Sequence, residues 1–179
     1  MITEAQLADG TRAVILPLRP QDREALREGY EHLSAETRNH RFLSSVPHLT
    51  GPMLEHLVDE VDGVDHVALA LVAMDDDRVG TPVGVARMIR YADQPTEADL
   101  AVTVVDDWHG RGVATALLAE LVQQRPVGVS RIVTAVAADN AASLHMLRRL
   151  GETTTTPAGV GRLDVVVELP PADYVALGR

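Results

Sequence analysis

Apolar residues recur along this chain with two periods, and the alternation between them lays out the expected elements. The run Ala13 to Leu18 reads as a first strand, and Pro20 then opens an amphipathic stretch through Leu33, proline being suited to the first helical position. A second helix follows from Ser34, with Ser34, Glu36 and Thr37 near its cap. Gly51-Pro52 punctuates, and Met53, Leu54, Leu57, Val58 and Val61 recur at helical spacing as a third, short helix. From His66 the period changes. His66 to Met74, ended by Asp75-Asp76-Asp77, and Pro82 to Tyr91 form two compact runs that read as a hairpin. Asp99 to Val105 alternates around Leu100, Val102 and Val104, while Gly112 to Gln124 carries Val113, Leu117, Leu118, Leu121 and Val122 on one helical face. Arg131 to Ala137 is a further strand, Asn140 to Leu150 a helix stopped by Gly151, Thr153 to Thr156 a strand start, and Arg162 to Leu169 a last strand.

The order is therefore β-α-α-α-β-β-β-α-β-α-β-β, an α/β (α+β) chain with a mixed central sheet of about six or seven strands flanked by helices. Its 179 residues, 46% of them apolar, fit one domain over residues 1–179. Aromatics are only 3%, which disfavours stacking on single-stranded nucleic acid, and the net charge of −10 repels a phosphate backbone. No nucleic-acid partner is expected. The absence of cysteine removes disulfides, thiolate metal sites and a cysteine nucleophile, and is consistent with a cytoplasmic address. Met1 to Gly10 has no apolar core region, and the longest apolar run, Val67 to Met74, is too short to span a bilayer, so no membrane association is expected.

The segment richest in chemistry runs from Leu100 to Leu118, where a strand passes directly into a helix through His109-Gly110-Arg111-Gly112. Glycines there let the backbone approach a ligand closely, and the first amides of the helix have no partner within it. Together with the helix dipole these amides form a site for a phosphate or pyrophosphate, each interaction contributing about 0.3–2 kcal/mol. A plain tight turn explains the two glycines equally well. A dinucleotide-binding loop would need a third glycine where Thr115 stands, and a P-loop would need Gly-Lys-Ser/Thr, which occurs nowhere in the chain.

His109-Gly110-Arg111-Gly112-Val113-Ala114 resembles the Gln/Arg-x-x-Gly-x-Gly/Ala signature of the GNAT acetyltransferases, with His in place of the usual first residue. Asn140-Ala-Ala-Ser143 through Gly151 resembles that family's second ligand-side segment. Leu18 to Arg23 and Leu33 to Phe42 look like the opening of the bacterial protein-lysine acetyltransferases of the Pat type. The resemblance covers roughly residues 12–169 and implies the GNAT fold, acetyl-CoA as co-substrate and an amine as acceptor. It assigns the pyrophosphate to the amides of Gly110, Arg111, Gly112, Val113, Ala114 and Thr115, with His109 either touching it or capping the turn. It pairs the pantetheine arm with Val102, Thr103 and Val104, and puts Asn140 and Ser143 on the ligand side. The general base maps to Asp99, where the family usually has Glu. Glu97 is the second candidate because strand alternation puts it on the same face. A solvated strand-end carboxylate is the alternative description of Asp99. The oxyanion falls to a backbone N–H near Val104 or Val105. The Tyr that would protonate the leaving thiolate corresponds to Leu147, which leaves Ser143 or water in that role.

The histidines at 32, 40, 48, 56 and 66 lack the spacing of a zinc helix, so no metal is expected, and no Gly-x-Ser-x-Gly elbow supports a serine hydrolase. Arg148 and Arg149 either reach the adenosine phosphate or complement a helix dipole. The acidic balance favours a cationic acceptor, a protein lysine or a small amine. A non-catalytic acyl-CoA sensor or assembly domain is the competing reading, and a homodimer through the C-terminal strands is a further expectation.

Overall fold

The computed structural model describes residues 2–74 and 80–171. One eight-stranded sheet carries the chain, in the order β1 (Thr3–Gln6), β2 (Arg12–Pro17), β3 (His66–Met74), β4 (Gly80–Arg90), β5 (Glu97–Val104), β6 (Arg131–Ala137), β8 (Arg162–Glu168), β7 (Glu152–Pro157). Every neighbouring pair is antiparallel except β5 and β6. Asp75 to Asp77, expected to end the β3 run, lie outside the described residues.

The strand that sequence reading missed is β1. Thr3-Glu4-Ala5-Gln6 contains no apolar alternation because it is the outer strand and pairs on one side only. It raises the count to eight, against about six or seven expected.

Helices α1 (Arg23–Glu31), α2 (Ala35–Phe42) and α3 (Gly51–Leu54) cover one face of the sheet, and α4 (Val113–Gln123) and α5 (Ala141–Arg148) contribute to the core on the other. Strand alternation decides which core each residue joins. Leu69 and Leu71 pack with Leu117 and Leu121 of α4, whereas Ala68 and Ala70 pack with Tyr30, Leu33, Leu57 and Val58. α4 lies close upon β4 because residue 84 is glycine. A Cβ there would stand 2.8 Å from Val113 Cγ1 and 3.1 Å from Leu117 Cδ1.

The third helix is less regular than its spacing predicts. After Leu54 the coil widens into a π-helix over Glu55–Asp59, with the Glu60 N–H donating to the Glu55 carbonyl at 3.0 Å. Within this turn the Leu57 carbonyl accepts from the buried Arg87 at 2.7 Å.

Asp106, just beyond β5, ties the two layers together. Its carboxylate accepts from the Ser34 N–H at 2.9 Å, the Ser34 hydroxyl at 2.7 Å and the Thr37 hydroxyl at 2.7 Å, fixing the start of α2 to the end of β5. Partial burial alone would raise this carboxyl, but the hydrogen bonds from Ser34 and Thr37 outweigh it and bring it down to about 2. A lowered folded value means stability that is complete above the unfolded value of 3.8 and is lost as pH falls toward 2. Asp106→Ala should therefore cost about 1–2 kcal/mol in urea unfolding near neutral pH, allowing for solvent screening. The gap between variant and parent should narrow at pH 3. A gap that is constant with pH would remove Asp106 as the clamp.

Candidate active site

The sheet opens between β5 and β6. These strands pair only at Glu97 with Arg131 and Ala98 with Ile132, whereas β5 stays paired with β4 from Ala98 to Val104 and β6 with β8 along its whole length. Beyond the two shared rungs the strands part around a cleft of about 610 Å³. Asp99, Val102, Ser143 and Leu147 border it, with His40 and Arg41 from the end of α2. α2 stops there because Leu43 turns into the left-handed region at φ 53°.

Register determines which main-chain groups face the cleft. The Val105 N–H donates to the Val83 carbonyl at 2.9 Å, so by antiparallel alternation Thr103, Ala101 and Asp99 also direct their main chain at β4. Leu100, Val102 and Val104 point theirs the other way, into the gap. Two of these groups are already engaged. The Leu100 carbonyl accepts from the Thr134 hydroxyl at 3.2 Å, and the Val104 carbonyl accepts from Nε2–H of His109 at 3.0 Å. The N–H and C=O of Val102 and the N–H of Val104 remain for a ligand strand.

Several expected residues are placed apart from the cleft. Thr103 turns its main chain to β4 and its side chain to a second cavity on the α1–α2 side. The Val105 N–H is already used by Val83, which leaves Val104 as the donor that faces the gap. His109 caps the strand end. Glu97 binds Arg131 at 3.0 Å and does not border the cleft. The Asn140 side chain caps α5 by accepting from the Ser143 N–H at 3.0 Å, so of the pair it is Ser143 that lines the cleft.

At the C-terminal end of β5, Gly110 (φ 73°) and Gly112 (φ 90°) carry the chain into α4. None of the amides from Gly110 to Thr115 donates to a backbone carbonyl among the described residues, and the first helical bond is Ala116 N–H to the Gly112 carbonyl at 3.0 Å. The result is a row of donors without main-chain acceptors at the positive end of an 11-residue helix. The turn between β1 and β2 braces this row. Ala8 N–H donates to the Arg111 carbonyl at 3.0 Å, and Asp9 pairs with the Arg111 guanidinium, which also stacks 3.7 Å over the Trp108 ring. Hydrogen bonds from Thr11 first, then from Arg111, draw the Asp9 carboxyl down to about 2. The Arg111 side chain is thus held back from the ligand face, leaving its amide there.

Asp99 lies where the cleft opens toward α2. The charge of Asp99 acts on Arg41 and on Tyr91, whose hydroxyl is raised by burial and then by Asp99 and Glu97, and which donates to the Val133 carbonyl at 2.9 Å. Sequence reading missed Arg41 and Tyr91. Nothing in the local pattern distinguishes Arg41 from Arg38 one turn earlier, and Tyr91 reads simply as the end of a strand. Among the described residues no three His, Asp or Glu side chains converge as a metal site, and no helix is long and apolar enough to cross a membrane.

The profile of the "Acetyltransferase (GNAT) family" matches residues 26–151. Acetyltransferase Pat of Mycolicibacterium smegmatis is 34% identical over 171 residues, which is 95% of this chain; the chain spans about half of that relative's length, 50%. Acetyltransferase PA5475 of Pseudomonas aeruginosa is 30% identical over 146 residues, 81% of this chain and 77% of the relative. The crystal structure of the GNAT domain of S. lividans PAT superimposes with a TM-score of 0.80 at 28% identity, covering 94% of this chain and 97% of that domain.

The donor row depends on Gly112. A Cβ at this position would lie 3.1 Å from the Ala8 N and 3.2 Å from the Ala8 Cβ in a backbone region that side chains rarely adopt. At Gly110 a Cβ meets open space, and only the conformational cost of about 1–2 kcal/mol applies. Calorimetric titration with coenzyme A should show Gly112→Ala weakening binding about tenfold or more, and beyond the effect of Gly110→Ala. Equal affinities for Gly112→Ala and the parent would remove the loop from the binding site.

Proposed function

The chain belongs to the GNAT acetyltransferase family, and from that premise we propose that it moves an acetyl group from acetyl-CoA to a primary amine by direct attack, with Asp99 as general base. The observation that carries this reading is the position of Asp99 on the border of the parted strands, on the same stretch of β5 as the unpaired main chain of Val102 and Val104. Coenzyme A lies along that stretch, its pyrophosphate on the amides of Gly110 to Thr115 and its pantetheine against Val102. Its thioester carbonyl is then within the gap, where the Val104 N–H supports the developing oxyanion.

The acceptor enters beside Tyr91, Asp99 and Asp164. An amine of the lysine type has a pKa of about 10.4 and arrives protonated. Asp99 takes that proton directly or through a water, the neutral nitrogen attacks the carbonyl to give a tetrahedral oxyanion, and as this collapses the C–S bond breaks and the nitrogen releases its second proton to water or to the departing thiolate, leaving the neutral amide. Buried Leu147 supplies no proton to the departing thiolate. Ser143 or water serves instead, a thiolate of pKa about 8.5 being a tolerable leaving group. The net charge of −10 supports a cationic acceptor, a protein lysine or a small polyamine-like molecule, and the mycobacterial and Pseudomonas relatives support the acetyltransferase assignment.

Thiol release from acetyl-CoA with a panel of amines tests the base. Asp99→Asn should lower kcat/KM by about 10²–10⁴-fold while leaving the affinity for coenzyme A within about twofold. Glu97→Gln, which removes only the partner of Arg131, should change the rate far less. A fully active Asp99→Asn enzyme would overturn the assignment.

A further inference from the structure

A second cavity, of about 150 Å³, lies on the α1–α2 side of the sheet against β3, β4 and the end of β5. Leu26, Tyr30, Leu49, Ala70, Val85 and Val105 give it an apolar lining. It adjoins the cleft already described, since Arg41 and Phe42 border both. Two arginines interrupt the apolar wall, as does Asp22, whose carboxylate accepts from the Arg19 N–H at 2.8 Å. Arg87, 5% exposed, donates from Nη1 both to the Leu57 carbonyl at 2.7 Å and to Nε2 of His66 at 3.3 Å, and its Nε and Nη2 groups have no acceptor among the described residues. Arg41, only half-buried, stacks 4.7 Å over the Phe42 ring and has no hydrogen-bonding or ionic partner among them.

Such an arrangement is costly for the empty protein. Buried charges are ordinarily paired, because desolvation penalises a cation that no anion compensates. Burial, and then the charge of Arg41, pull Arg87 down to about 9, and burial lowers Arg41 as well, with the charge of Asp99 only partly offsetting it. A ligand anion between the two guanidinium groups would relieve both.

The incoming amine cannot be that group. It is a cation until Asp99 deprotonates it, so two arginines repel it toward the Tyr91 and Asp164 side of the mouth. The other substrate, in the reading above, places its acyl end in the gap lined by Ala101 and Phe42, and Phe42 borders this cavity too. A cavity of this volume takes a ligand of about six non-hydrogen atoms, enough for two or three methylenes and a carboxylate. We propose that this cavity receives the acyl chain of a coenzyme A thioester that ends in a carboxylate, of the succinyl or glutaryl type, with Arg41 and Arg87 binding the terminal anion. The proposal rests on the reading of the cleft as the thioester site. It widens the transferred group without altering the chemistry: the amine nitrogen still displaces the thiolate, and the distal carboxylate takes no part in the bond exchange.

Calorimetric titration of the full chain with coenzyme A and its acetyl, butyryl and succinyl thioesters separates the cases. Succinyl-CoA should bind roughly tenfold tighter than butyryl-CoA, which has a chain of the same length but no charge. Arg41→Met should bring that ratio to about one, and Arg41→Lys should restore part of it, with coenzyme A affinity as the check that each variant is folded. The comparison in the parent protein stands even if a variant does not fold. Butyryl-CoA binding as well as succinyl-CoA, or acetyl-CoA binding better than both, overturns the proposal while leaving the cleft as thioester site intact. Failure of every thioester to bind overturns both.

Discussion

Two shared rungs between β5 and β6, followed by separation, are the constraint on which the rest of the structure depends. Each strand is fully paired on its outer side, β5 to β4 and β6 to β8, so the parting exposes only the inward row of main-chain groups. An unpaired row inside a protein is costly, and the sequence compensates for part of it locally. Thr134 and His109 supply side-chain donors to the carbonyls of Leu100 and Val104. In the proposed reading the groups left over at Val102 and Val104 take an extended ligand arm, because only a partner with alternating donors and acceptors replaces a missing strand.

The parted strands would be of little use without a fixed anchor for the ligand's charged end. In the proposed reading that anchor is built from backbone amides, through which a chain of net charge −10 would accommodate an anion. Charges beyond about a Debye length, roughly 10 Å at moderate salt, are screened, whereas a row of aligned N–H groups acts at contact. Asp9 and Asp106 show how acidic residues serve this arrangement. The first holds the Arg111 side chain down so that the amides stay outermost, and the second holds α2 against the end of β5 so that Arg41 and Phe42 meet the cleft. The β1–β2 turn thereby becomes part of the site's support, although it lies about a hundred residues away in sequence.

Most of the fold was legible because each core strand or helix shows its period directly. Leu69 and Ala70 go to different cores by alternation, and Leu117 and Leu121 share one by helical spacing. β1 was not legible because the face it half-buries consists only of Thr3 and Ala5, too small and too polar to show an apolar alternation. For the candidate site, residue type and order located the loop, but register decided the roles. Thr103 looked equivalent to its neighbours Val102 and Val104, yet alternation turns its main chain away from the cleft. Arg41 and Arg38 sit one turn apart with the same chemistry. Only the tertiary structure distinguishes Arg38, tied to the carbonyls of Leu33 and Glu31, from Arg41, which has no such partner among the described residues.

Leu147 raises a question of energetics that the geometry helps to answer. In the proposed transfer two protons need managing, one leaving the amine and one offered to the thiolate. At neutral pH an amine of pKa about 10.4 lies more than three units from its reactive form, a cost of about 4–5 kcal/mol. A thiol of pKa about 8.5 lies about one and a half units away, and its thiolate departs without protonation at a penalty of about 2 kcal/mol. A carboxylate near the amine therefore lowers the higher of the two barriers, and an acid near sulfur only the lower one. Leu147 is 4% exposed and packs into the core with Leu144, so at this position the chain gains apolar packing where a hydroxyl would act only on the lesser barrier. Ser143, on the preceding turn of the same helix and facing the cleft, is the hydroxyl that α5 retains at the cleft border.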